Sequence, residues 1–144
     1  MRIPRQLVIW ARILLPVYLV VVGFIVFSPS DDTGTGFLGW LAEALGEPGY
    51  AAVEFTANIL MFVPFGVLVR LATARPSWWM ILALGLLTTV TIELTQLALP
   101  SRYSTVSDVI ANTLGTAVGL ASVWLATRRQ IGRASCRERV YSGV

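Results

Sequence analysis

Four apolar runs constrain this chain more than any other feature: about 10–28, 51–71, 77–97 and 106–127. A helix rises 1.5 Å per residue, so about 20 apolar residues cross a hydrocarbon core of about 30 Å. Lipid offers no hydrogen bonds, so each run has to satisfy its own backbone, and helices do so within one segment. Only 13% of the 144 residues are charged, against about 25% in a soluble domain. That is too little polar surface to cover a water-soluble globule. The sequence therefore predicts an all-α membrane protein: one domain over 1–130, built as an antiparallel four-transmembrane-helix bundle with both termini cytoplasmic.

The arginines set the orientation. With the N-terminus inside, Arg2, Arg5, Arg12, Arg70, Arg75, Arg128 and Arg129 fall on the cytoplasmic side and Arg102 alone outside, as the positive-inside rule requires. The first run follows a basic flank, as a signal peptide would, but Ser28-Pro29-Ser30 is a poor cleavage context. It reads as a retained helix, with Arg12 snorkelling so that the usable span reaches back toward Leu7. The acidic segment 28–52 carries Phe37, Leu38, Trp40, Leu41, Ala44 and Leu45 at helical spacing, which suits a short helix lying in the interface. Pro64 inside the second run predicts a kink. Trp78 and Trp79 mark the interfacial start of the third, and Thr105 with Asp108 forms a capping box for the fourth.

The end of the chain reads differently. Ile131 to Val140 resembles the translation of a sequencing adapter, so 131–144 is taken as an artefactual tail and excluded from fold reasoning. Without it, eight arginines face seven acids, and the lone cysteine, Cys136, drops out. The chain has no His and no Lys. That excludes His-based metal sites, Ser-His and Cys-His catalysis and Schiff-base chemistry. The near-balanced charge gives no reason to expect nucleic acid as a partner.

Polar residues inside the runs carry the functional signal. Glu54 and Asn58 open the second run, Glu93 and Gln96 close the third, and Asp108 and Asn112 open the fourth. In the expected topology all six lie toward the outer face, with Asn58, Glu93 and Asn112 roughly 5–10 Å below its boundary and Arg102 on the turn above. Spacings of three or four place each pair on one helix face, and Thr89 continues the Glu93 face. An ionised side chain at the centre of a bilayer costs about 2.5–3.5 kcal/mol on insertion scales. These groups must therefore face one another, a wet cleft or a ligand. Interhelical glue accounts for part of this. Three carboxylates beside one arginine exceed what glue needs, so an outward-facing polar pocket is predicted, formed by Glu54, Asn58, Glu93, Gln96, Arg102, Asp108 and Asn112. No cofactor is required; a divalent cation would relieve the excess negative charge. Gly115 and Gly119, four apart, are read as a close-packing face within the bundle, and Pro64 and Gly66 as packing residues.

The stretch Asn58-Ile59-Leu60-Met61-Phe62-Val63-Pro64-Phe65-Gly66, then Glu93-Leu94-Thr95-Gln96, then Arg102 through Asp108 to Asn112-Thr113-Leu114-Gly115, resembles the VanZ-like family in order, spacing and placement. The resemblance covers roughly 54–123. The residues that match the family pattern are Asn58, Glu93, Gln96, Arg102, Asp108 and Asn112. The family is named for a protein linked to resistance to the glycopeptide antibiotic teicoplanin. The resemblance implies a multi-pass protein of the bacterial inner membrane with a cell-envelope role, but hands over no reaction.

Three readings follow. The preferred one is a non-enzymatic protein at the outer leaflet that alters how glycopeptides or cell-wall precursors engage the surface. The alternative is an intramembrane enzyme acting on a polyprenyl- or lipid-linked substrate, with Glu93 and Asp108 as acid/base or metal-binding groups and Arg102 on a phosphate. A solute pathway is disfavoured, because 62–69 and 81–87 contain no polar residue.

Overall fold

The computed structural model describes residues 3–27, 44, 47–73, 77–98 and 105–141, with side chains from 51 in the third segment and to 128 in the last. Among these residues every regular element of length is a helix: α1 (Arg5–Phe27), α2 (Glu47–Ala72), α3 (Trp78–Gln96) and α4 (Val106–Tyr141). All four are long and apolar enough to cross a membrane, over Arg5–Phe27, Ala51–Ala72, Trp78–Gln96 and Val106–Arg128. Three boundaries differ from expectation. The first helix starts at Arg5, where the Pro4 carbonyl accepts from Leu7 N (3.0 Å), so Arg5 and Arg12 of the basic flank are themselves helical. The second starts earlier, at Glu47. The fourth runs on unbroken beyond 127 to Tyr141. The interfacial helix expected around Trp40 and the turn bearing Arg102 and Tyr103 lie outside the described residues, apart from Ala44, which is helical.

The helices pack most closely where side chains are smallest. A Cβ added at Gly115 would overlap the Ile59 carbonyl, and one at Gly119 the Val63 carbonyl. In the reverse direction, a Cβ at Gly66 would overlap the Thr116 carbonyl and approach Leu120 N at 3.0 Å. So α2 and α4 touch backbone to backbone over this stretch. That matters in lipid, where burying apolar groups drives little association and van der Waals packing has to hold helices together. Gly85 on α3 makes room differently: a Cβ there would meet the Thr116 Oγ1 at 2.7 Å. Thr116 is fully buried in the space that Gly85 leaves.

A core of Phe62, Phe65, Val69 and Ile81 fills the angle between α2 and α3, with Leu15 and Tyr18 of α1 and Leu120 of α4 against it. The Phe62 and Phe65 rings lie tilted, 5.8 Å between centroids, a spacing at which aromatic pairs attract. α2 continues through Pro64; the ring removes the N–H that would bond the Leu60 carbonyl, and Pro64 itself is exposed.

α1 is the least buried helix, with only Ala11, Val22 and Val26 inside. Polar clasps hold it. The Arg12 Nε donates to the Ala72 carbonyl (3.0 Å), one of the four that the last turn of α2 leaves without an internal partner. The Tyr18 hydroxyl donates to the Met61 carbonyl (2.7 Å), and Gln96 Nε2 of α3 to the Val26 carbonyl (3.2 Å). Threonines on the outside of α3 satisfy themselves: the Thr88, Thr91 and Thr95 hydroxyls each donate to the carbonyl four residues back (2.8, 2.8 and 2.7 Å). They add no unsatisfied polar group to an apolar face.

Candidate functional site: a polar junction of three helices

The site begins at the first turn of α4. Thr105 is its N-cap, and its Oγ1 accepts from the Asp108 N (3.2 Å), which satisfies one of the free donors of that turn. In a complete capping box the Asp108 carboxylate would return to the Thr105 N–H. Here the box is opened. The Thr105 N–H donates instead to the Glu93 Oε2 on α3 (3.1 Å), and the Asp108 Oδ1 accepts from the Asn58 Nδ2 on α2 (2.6 Å). A local cap has become a bridge that runs Glu93–Thr105–Asp108–Asn58 across three helices.

One turn deeper lies a second layer. The Asn112 Nδ2 donates to the Thr89 Oγ1 (2.9 Å), and the Thr116 Oγ1 donates to the Asn112 carbonyl (3.1 Å). All three side chains are buried: Asn112 is 3% exposed, and Thr89 and Thr116 are 0%. Glu93 is buried as well, at 6%. The Asn112 Oδ1 is buried and accepts no hydrogen bond among the described residues, which normally costs about 1–3 kcal/mol.

The structure thus brings together Asn58, Glu93, Asp108 and Asn112. Two other candidates take no part in these bonds, though Glu54 lies near enough to sense the charges of Asp108 and Glu93. Glu54, one turn before Asn58, is exposed. Gln96 turns from the junction to clasp α1. Arg102 lies outside the described residues. The paired spacings also split more than face-counting suggests: Asp108 meets α2, whereas Asn112 meets α3. A step of four residues rotates by about 40° around a helix, and α4 lies against both neighbours, so that angle suffices to change partner. From the sequence Thr105 was singled out only as the cap of the fourth run, and Thr116 and Gly85 not at all. Thr105 acts through its backbone, which residue identity hides. The other two form a knob and a hollow on different helices, legible only once those helices are docked.

The neutral side-chain amide of Asn58 donates to Asp108, and the Thr105 backbone N–H is one of the groups that reach Glu93. No group of three or more His, Cys, Asp or Glu able to hold a metal ion occurs among the described residues. The arrangement can therefore fix the ends of three helices and leave acidic character at that end, with Glu54 exposed beside it.

A family model described as VanZ/LLP1 matches residues 15–127. No curated protein and no solved structure matches the chain.

Proposed function

The chain belongs to the VanZ/LLP1 family, and from that premise we propose a cell-envelope protein of the bacterial inner membrane whose acidic junction faces outward and tempers the action of teicoplanin-type glycopeptides without chemical turnover. Its four long apolar helices make it a multi-pass membrane protein. One observation carries the functional reading: Asp108 is held by the neutral amide of Asn58, while Glu54, a turn earlier on α2, is exposed. That end of the molecule therefore offers negative charge to the cationic or hydroxyl-rich groups of a ligand.

The up-and-down helix order is part of the same proposal. Contacts between α2 and α4 advance together, Ile59 with Gly115 and Val63 with Gly119. Those between α3 and α4 run oppositely, Thr89 with Asn112 and Gly85 with Thr116. Both registers support antiparallel succession along the chain. The arginines support the orientation: Arg12 clasps the end of α2 near Arg70, and Arg128 lies over Trp124, which shares a cleft with Arg70.

The test is teicoplanin susceptibility in cells expressing the protein at matched levels. Glu54→Gln and Asp108→Asn should each lower the inhibitory concentration toward that of cells lacking the protein. Unchanged susceptibility with both variants would sink the reading.

A further inference from the structure

At the end opposite the polar junction, a cleft of about 610 Å³ opens between α2, α3 and α4. Its walls are largely apolar, with Leu82 and Ala121 among them, and Trp78 and Trp124 flank it. Both tryptophans are about half exposed, 51% and 49%, as suits rings at headgroup depth. Arg70 is the one charged residue on the lining. Its Nη1 is buried and has no hydrogen-bond partner among the described residues. A buried guanidinium nitrogen with an unused donor is expensive in a medium of low polarity.

Two other cations described at this end, Arg12 and Arg128, are already engaged. Arg12 donates to the Ala72 carbonyl, and the Arg128 guanidinium sits 3.8 Å from the centre of the Trp124 ring. A second positive feature faces the same space. Ser77, which also lines the cleft, is the N-cap of α3, its hydroxyl accepting from the Met80 N at 3.3 Å. The first turn of a 19-residue helix concentrates the positive end of its peptide dipoles. An unsatisfied arginine and a helix N-terminus thus meet at the head of an otherwise apolar groove.

We propose that this cleft binds a single anionic phospholipid, with its phosphate on Arg70 and the first turn of α3 and one acyl chain along Leu82 and Ala121. A free phosphate would use the cation and leave the apolar walls without a role; a phospholipid uses both. A zwitterionic lipid would bring its own cation toward Arg70, so selectivity for a net negative headgroup follows.

The full chain, purified in detergent and exchanged into mixed micelles containing phosphatidylglycerol or phosphatidylcholine, tests this by native mass spectrometry of retained lipid. The wild-type protein should keep one phosphatidylglycerol and little phosphatidylcholine. Arg70→Gln should weaken phosphatidylglycerol retention about tenfold, the scale of one charged hydrogen bond, and Arg70→Lys should restore most of it. Arg128→Gln, whose cation is spent on Trp124, should change little. Ala121→Leu fills the chain groove without touching charge and should reduce retention as well; it decides the matter if Arg70→Gln loses its helicity. Equal retention of both lipids, wild-type retention by a folded Arg70→Gln or by Ala121→Leu, or displacement of the lipid by inorganic phosphate at equal concentration would overturn the proposal.

Discussion

Asn58 and Asp108 bring an amide and a carboxylate to 2.6 Å across two helices, yet the bond's net worth is set by what each group finds when the helices part. In membranes that alternative is seldom empty, and measured interhelical bonds average about 0.6 kcal/mol, reaching about 1.7. The charge on Asp108 places this one toward the upper end. A double-mutant cycle of Asn58→Ala and Asp108→Ala, followed by unfolding in mixed micelles, should give a coupling on the order of 1 kcal/mol; additive losses would remove the bond from the account. Asn112 belongs to the same scale. Its amide nitrogen is used on Thr89 while its oxygen is not, so its contribution is the difference between one bond made and one left open. The sequence disclosed Asn58, Glu93, Asp108 and Asn112 because ionisable and amide groups are rare in apolar runs. It could not disclose that Gln96 leaves the group for α1, since the carbonyl it reaches, that of Val26, belongs to an apolar residue.

At the scale of elements, the α2–α4 contact is set by glycines that meet backbone and the α3–α4 contact by a glycine that meets a side chain. The two should answer mutation differently. Gly119→Ala places a methyl against the Val63 carbonyl, which cannot turn aside, so the helices must separate at a cost of about 1–3 kcal/mol. Gly85→Ala meets Thr116, which can be shortened. Thr116→Ala should therefore rescue Gly85→Ala in thermal unfolding and do nothing for Gly119→Ala. Rescue of both, or of neither, would contradict this division. The spacing of Gly115 and Gly119 announced a close face, and the register of that face against Ile59 and Val63 needed the docked helices. The capping box at Thr105 was legible in part: the cap forms, and the tertiary demand of Glu93 and Asn58 outbids the local return bond.

At the scale of the whole molecule, the described charges separate by sign. Arg12, Arg70 and Arg128 gather at one end, Glu93 and Asp108 at the other. By the positive-inside rule the proposed orientation puts the arginine end in the cytoplasm. In a bacterial host, a reporter active only outside the inner membrane should work when fused after Ala98 and fail when fused after Arg129; the reverse pattern would invert the orientation and with it the proposed target. Length and hydropathy foretold the four spans within a few residues. The cleft beside Arg70 was not foretold, because its lining comes from three helices and contains only one residue that a linear reading marks as charged.

The opened capping box also bears on how the protein is made. Glu93 and the Thr105 amide that donates to it lie 12 residues apart, whereas Asn58 and Asp108 lie 50 apart. During synthesis the carboxylate of α3 needs only the next 12 residues to reach this donor. The amide on α2 waits for a helix not yet translated. The last two helices can thus enter the bilayer as a hairpin with its acid already covered, and α2 is clasped afterwards.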